Sequence, residues 1–266
     1  MTELASDYIP GSKQTDSDRV IGPETDKPPK EIELKVVDID RIDELEHKLK
    51  DLGAVKVRNR RLIKDHGFLN RKADQIPSLV AGIRIQKDRS VVLYWIVEGR
   101  ECTVLIPDTA EGLKKLLIHL GLPLDNIPTQ PLRDRRVRLR EESDHWEWTV
   151  KSKRKKDVDI DERREAEVRI SDPNQIMTFL SVCGYELYSY AEKYRTEYHL
   201  GTAKFMIDEY PDLRPYLEIE GESPEQVFSV AAKLGYGPNQ TAAVSTDSLA
   251  RAANISEERL KNWRFT

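Results

Sequence analysis

Glu31, Glu33 and Lys35 stand on alternate residues of the stretch EIELK, and Arg136, Arg138 and Arg140 do the same in RVRLR. Further along, Lys151 alternates with Lys153 behind Thr149, Glu165 with Glu167, Lys193 with Arg195, and Glu218 with Glu220, while Asp208 stands alone in FMIDEY. A period of two puts such residues on one face of a strand. Rows of Lys and Arg are suited to phosphate oxygens. Paired carboxylates are suited to divalent cations, which take oxygen ligands and bridge to phosphates. Together the two sets suit a triphosphate accompanied by Mg²⁺ or Mn²⁺.

A charged face on any one strand is ordinarily a solvated face. Water tolerates Ser, Thr, Asn and Gln equally well, however, and here nearly every position in the phased set is fully ionised. A closed antiparallel barrel offers another explanation, because its strands point alternate residues inward. An interior holding both signs of charge is too costly as a dry core. It is workable as a wet tunnel around a polyanion.

The composition allows this. The chain has 266 residues, enough for one large domain or two small ones, with 38% hydrophobic and 34% charged residues and a formal net charge of −4. The near balance argues against a nucleic-acid binder held by bulk positive charge. No apolar run reaches the roughly 20 residues of a membrane span, and the N-terminus has no hydrophobic signal core, so a cytoplasmic protein is expected. Cys102 and Cys183 give neither a disulfide framework nor metal-site spacing and read as buried thiols. The five histidines, His47, His66, His119, His145 and His199, form no cluster and read as ordinary surface or core residues.

The elements that must position these residues are mostly short strands. Residues 1–30, rich in Ser, Thr, Asp, Pro, Gly and Lys, read as a disordered leader. EIELKVVDID is a strand, and DRIDELEHKLKDLGA a helix with Ile42, Leu45, Leu49 and Leu52 on one face and Gly53 as its stop. RRLIKDHGFLN, AGIRIQK, SVVLYWIVEG and ECTVLIP read as strands, then TAEGLKKLLIHLGL as a helix and LPLDNIPTQP as a linker. RRVRLRE, HWEWTVKSK and RREAEVRI are strands again. A third helix, DPNQIMTFLSVCGY, has Asp172 as cap and Pro173 at its first position. EKYRTEYHL, AKFMIDEY and PYLEIEG follow as strands, and SPEQVFSVAAKLGYG as a fourth helix between Ser223 and Gly235. Residues 238–266 form a polar tail with some helical periodicity.

The order of elements reads as a partial internal repeat. Strands and a helix ending near Gly121 are followed by strands and a helix ending near Gly184. The first copy, residues 56–122, is degenerate in charge. IRIQK has one Arg where RVRLR has a row, and LYWIVEG has no Lys where TVKSK has two. RVRLR is therefore the strand expected in the charged interior.

The set EIELK, RVRLR, TVKSK, REAEV, KYR, IDEY and LEIEG resembles the CYTH or triphosphate tunnel metalloenzyme superfamily, which includes inorganic and thiamine triphosphatases, class IV adenylate cyclases and RNA triphosphatases. The resemblance spans about residues 31–237. It implies an α+β fold: a closed eight-stranded antiparallel tunnel with flanking helices, here with an extra strand-helix segment. It implies Glu31, Glu33, Glu165, Glu167, Asp208, Glu218 and Glu220 as metal ligands. It implies Lys35, Arg136, Arg138, Arg140, Lys151, Lys153, Lys193 and Arg195 as phosphate-binding residues, with Lys35, Arg138, Arg140 and Lys151 closest to the chemistry. The departure from the family is the hundred or so residues between the opening motif and RVRLR.

Three functions compete. The first is hydrolysis of a triphosphate with Mg²⁺ or Mn²⁺ and no dedicated nucleophile. The second is adenylate cyclisation, which needs a base pocket that Tyr94, Trp146 and Trp148 could line, although aromatic residues in strands are more often core. The third is a non-catalytic polyphosphate-binding module, against which the many carboxylates count. The expected partner is a small-molecule triphosphate. No membrane and no nucleic acid are expected, and a homodimer is compatible with the sequence.

Overall fold

Most strands carry one charged and one apolar face, so the fold is decided by where each face can go. The computed structural model describes residues 30–70, 80–97, 99–122, 135–151 and 161–266. The expected leader, apart from Lys30, lies outside the described residues, as do residues 123–131 of the Pro-bearing linker and Lys153.

The chain runs β1 (Lys30–Val36), α1 (Ile42–Asp51), β2 (Val55–Asn70), β3 (Val80–Ile85), β4 (Val91–Val97), β5 (Arg100–Ile106) and α2 (Ala110–Leu120). It continues with β6 (Arg136–Glu141), β7 (Trp146–Lys151), β8 (Asp161–Ile170), α3 (Pro173–Val182), β9 (Tyr185–Leu200), β10 (Ala203–Glu209), β11 (Tyr216–Gly221) and α4 (Pro224–Lys233). The tail folds as β12 (Thr241–Ala242), α5 (Thr246–Ala252), α6 (Glu257–Lys261) and β13 (Asn262–Trp263). The fold is thus mixed α+β, with a large antiparallel sheet and several helices. Among the described residues no helix is long and apolar enough to cross a membrane.

The helix signals act as their chemistry requires. Asp172 accepts from the backbone N–H groups of Asn174 and Gln175, with Pro173 in the first turn, and Ser223 caps α4 through Gln226 N–H. Gly121 ends α2 at φ 90°, in the left-handed region that a residue with a Cβ enters at a cost.

The main sheet has the order β10–β11–β1–β8–β7–β6–β2–β9, and its two ends also pair, β9 with β10 from Ala203↔Leu200 to Glu209↔Tyr194. Beyond Tyr194 the edge of β9 that faced β10 is covered by β13, which pairs with it in parallel at Tyr190 and Ala191. An uncovered edge there would present unpaired backbone groups. β12 likewise pairs with β1 at Lys35 and Val36, past the end of the β8 ladder.

The apolar faces of this sheet meet the helices. Leu139, Trp148, Val150 and Val168 pack with Leu93 and Trp95 of β4, Leu113 and Leu117 of α2, and Ile176 and Phe179 of α3. Leu34, Phe205, Ile207, Leu217 and Ile219 pack with Leu45 and Leu49 of α1 and Val227 and Ala231 of α4. Each such side chain contributes about 1.5–3 kcal/mol by leaving water. With the helices on the apolar faces, the charged faces are turned the other way, toward one another.

Residues 56–122, expected as one degenerate copy, divide between two sheets. β2 is a strand of the main sheet, paired with β6 and β9, whereas β3, β4 and β5 form a separate three-stranded sheet. The reason is length and register. At 16 residues, β2 is long enough to pair along most of β9, and bulges at Lys56/Arg58 and Arg58/Arg61 let it bend with its neighbour.

Candidate functional site

Alternation delivers the ionised side chains of the main sheet into one cavity of about 810 Å³. Of the residues expected from sequence, Glu33, Lys35, Arg136, Arg138, Arg140, Lys151, Glu165, Glu167, Lys193, Arg195, Glu218 and Glu220 line it. The backbone of Glu31 lies in β1, but its side chain, like all of Lys153, is outside the described residues.

Asp208 requires a correction. It is fully buried rather than cavity-lining, and its carboxylate is occupied by cations. Lys193 Nζ donates to it at 2.7 Å, and Arg195 donates from Nε and Nη2, both at 2.6 Å. Asp208 therefore holds two cavity cations in place from behind the cavity wall. Its place alone in FMIDEY gave no sign of this, because the difference lies in what stands opposite: Arg195 is its direct partner across β9–β10.

Around that buried carboxylate the cations and anions interlock. Glu218 binds Arg195 and accepts from Lys35 at 2.8 Å, and Lys35 also binds Glu33. Burial alone would raise the Glu218 carboxyl, but Lys35, Arg195 and Lys193 pull it well below the usual carboxylate range. Burial, with Arg195 adding like-charge repulsion, pushes the Lys193 ammonium down to about 8 against the attraction of Asp208.

On the β6 side, Arg140 makes a two-pronged bond to Asp65 at 2.7 and 3.0 Å. Burial would raise Asp65, yet Arg140 and then Arg138 hold its carboxyl far below the ordinary range. Arg138 donates to Thr149 Oγ1 at 3.2 Å and stands 3.6 Å from Glu165, which also binds Lys151. Glu167 opens onto the cavity, but the protein wall removes enough water that burial, followed by the like charge of Glu147, raises its carboxyl.

Several cavity residues were missed in the sequence. Glu147, Glu197 and Lys204 continue alternations already visible, Glu147 with Thr149 and Lys151, and Glu197 with Lys193 and Arg195. Their signal was present. In β2, Arg58 was hidden because a bulge between it and Arg61 breaks the period of two, and Arg61 and Asp65, although in phase, were hidden because the apolar Ile63 stands between them. Conversely, the three aromatics considered for a base pocket do not line the cavity. Trp148 is fully buried in the core, Trp146 packs against His66 at 5.4 Å, and Tyr94 lies against Gly82, where a Cβ would come within 2.5 Å of its hydroxyl.

Two features bear on what the cavity could hold. Nη1 of Arg61 and Nε of Arg138 are buried without a hydrogen-bond acceptor among the described residues, so guanidinium donors remain for an anion. Glu33 and Glu220 sit directly opposite each other across β1 and β11, a pair of like charges flanked by one lysine each, Lys35 at Glu33 and Lys204 3.6 Å from Glu220. The oxygen donors of the two glutamates fit a hard divalent cation. Among the described residues, no three carboxylate, imidazole or thiol groups converge as a ready-made metal cluster.

Residues 128–245 match the family model for the CYTH domain. A structure from Vibrio parahaemolyticus, described as a candidate adenylate cyclase, is similar with a TM-score of 0.53 and 11% identity, covering 85% of this chain and 99% of that one. A Pyrococcus horikoshii protein is similar with a TM-score of 0.49 and 16% identity, covering 82% and 98%. An adenylyl cyclase candidate from Hippeastrum, described as having a dominant triphosphatase activity, gives 0.43 and 11%, covering 84% and 95%. No curated protein sequence matches the chain. The Vibrio likeness is one of fold.

Proposed function

We propose that the chain is a divalent-cation-dependent triphosphatase working inside the charged cavity, a reading supported by the match of residues 128–245 to the CYTH family model. In this reading the main sheet is a closed eight-stranded tunnel, and the ladder between β9 and β10 supports closure. The observation that carries the proposal is the lining itself. Cations converge from β1, β2, β6, β7, β8, β9 and β10, and among the described lining residues twelve Lys and Arg face thirteen Asp and Glu. Such a cavity is nearly neutral. A triphosphate would bring its charge into a site with no excess of cations, so metal must accompany it.

Glu33 and Glu220 would hold the metal, with Glu31, Glu165, Glu167 and Glu218 as further carboxylates; Asp208, fully buried and off the cavity wall, is left out. Bound there, the cation would supply charge neutralisation and polarise a phosphoryl oxygen. The chain's own residues do the positioning. Arg138 and Arg61, each with one N–H that has no acceptor among the described residues, would offer their guanidinium groups to phosphate oxygens. Arg140, fixed by Asp65, and Lys193 and Arg195, fixed by Asp208, present charge without reorganising. Lys35 and Lys151 extend the same field. Hydrolysis adds the oxygen of a water molecule to the terminal phosphorus and breaks its bond to the bridging oxygen, with the basic wall taking up the developing charge.

A second reading, cyclisation of ATP, draws on Tyr188, Tyr210 and Trp263, the aromatic side chains of the cavity wall. One panel separates the two. Tripolyphosphate, thiamine triphosphate and ATP are supplied with Mg²⁺ or Mn²⁺, and free phosphate and cyclic AMP are both measured. Phosphate release that EDTA abolishes is the expected result. Turnover undiminished by EDTA, or no phosphate from any substrate, defeats the proposal.

A further inference from the structure

Beyond the matched CYTH span, Trp263 is almost completely buried and lines the cavity. Its indole N–H donates to the carbonyl of Pro211 at 2.8 Å, and its ring stacks on Tyr210 with centroids 4.7 Å apart and planes 24° from parallel. Tyr210 stacks in turn on Tyr216, at 6.1 Å and 9°. The two tyrosine rings then meet the two most buried cavity lysines. Lys193 Nζ lies 5.4 Å from the centre of Tyr210, and Lys35 Nζ lies 5.5 Å from that of Tyr216. An ammonium over an aromatic face at this range is held electrostatically.

We propose that Trp263 is a positioning residue for the anion site, holding Tyr210 and Tyr216 as the surfaces on which Lys193 and Lys35 rest. This inference rests on the reading of the cavity as a triphosphate site. A lysine has four rotatable bonds, and fixing its ammonium costs rotamer entropy. Asp208 and Glu218 fix each ammonium on its anionic side, and the ring faces fix it on the apolar side. The rings keep their places because the C-terminal segment is fastened over them. Thr246 Oγ1 and Tyr216 Oη share a hydrogen bond of 2.8 Å, and Arg259 Nη2 lies 2.8 Å from Asp212, in the loop that carries Pro211. Trp263 thus acts on phosphate binding through two tyrosines.

The test is calorimetric titration of the full-length protein with inorganic tripolyphosphate in Mg²⁺, alongside thermal melting. Trp263→Ala is expected to weaken binding about tenfold per folded molecule, from the loosening of two cation–ring contacts. Trp263→Phe, which keeps a stacking ring, is expected to stay within about threefold of the parent. Leu117→Ala, buried in α2 away from the stack, serves as the control: it lowers the melting temperature and leaves binding unchanged. If Trp263→Ala does not fold, Tyr210→Leu removes the ring face under Lys193 and is expected to show the same loss. Normal affinity in Trp263→Ala or Tyr210→Leu overturns the inference, as does a Trp263→Phe protein as weak as the alanine variant. A parent protein that binds no tripolyphosphate overturns the triphosphate reading instead.

Discussion

β6 and β3 carry similar patterns, RVRLR in one and IRI in the other, and meet different ends. In β6 the arginines face the cavity, where Arg140 is gripped by Asp65 and Arg138 stands among Thr149, Glu147 and Glu165. In β3, Arg84 lies half in solvent, paired with Glu101 and resting on Tyr94. Val137 and Leu139 of β6 and Ala81 of β3 are buried in the same core, which also contains Trp95 and Phe179, and Ile83 packs against it partly buried, while Ile85 is exposed. The difference arises on the other face. β6 is flanked by β2 and β7, whose polar residues also point inward, whereas the sheet of β3, β4 and β5 has nothing described above its polar face. Alternation therefore gives a strand a charged face, and only a facing set of strands makes that face a site.

The sharpest way to break the comparison is Glu220→Ala. If the acidic face of β11 lines a metal-dependent site, turnover should fall by several orders of magnitude. The metal-depleted protein should melt unchanged or higher, because Glu220 opposes Glu33 across the β1–β11 ladder. A variant with normal melting and normal turnover would make β11 as inert as the outer face of β3.

Arg138→Ala comes next. It removes charge-assisted contacts of about 1.5–3 kcal/mol, so the Michaelis constant for tripolyphosphate should rise roughly ten- to a hundredfold. Steady-state kinetics of this variant beside Arg84→Ala test which arginine belongs to the site.

A smaller effect is expected from pH. Lys193 titrates near 8 in the folded protein, below the ordinary lysine value of 10.5. Tripolyphosphate affinity should accordingly weaken as pH rises through about 8 and this ammonium loses its proton, while the arginines stay charged. The sign for stability is opposite. Between about 8 and 10 the unfolded chain binds the proton more tightly than the folded one, so this group's contribution to stability rises with pH across that window. Affinity measured against pH in the parent and in Lys193→Gln should show the inflection only in the parent.

The smallest effect belongs to Arg84→Ala. Its ion pair with Glu101 is solvent-exposed, so the melting temperature should barely move and the Michaelis constant not at all. A raised Michaelis constant would place the three-stranded sheet in the working site.

What the sequence determined by itself is the strands, the helices and the polarity of their faces. Ile32, Leu34 and Val36 against Glu33 and Lys35 can be sorted only one way by a strand, and Asp172, Ser223, Gly53 and Gly121 mark helix limits through local backbone chemistry. RVRLR, TVK, KYR and LEIE were legible for the same reason. Tertiary structure decided which charges are available. Asp208 and Glu33 look alike in sequence, but Asp208 is closed off by Lys193 and Arg195 from a neighbouring strand, and Glu33 lines the cavity. Asp65, Arg61 and Arg58 became legible only when β2 paired with β6 and β9, because a bulge puts Arg58 out of phase with Arg61 and the apolar Ile63 interrupts the row from Arg61 to Asp65. Trp263 lies far in sequence from Lys35 and Lys193, and only packing brings its ring to the tyrosines beneath them. Period and caps are local, set by each residue's own backbone. Charge neutralisation is not, because it depends on which strands the hydrophobic cores draw together.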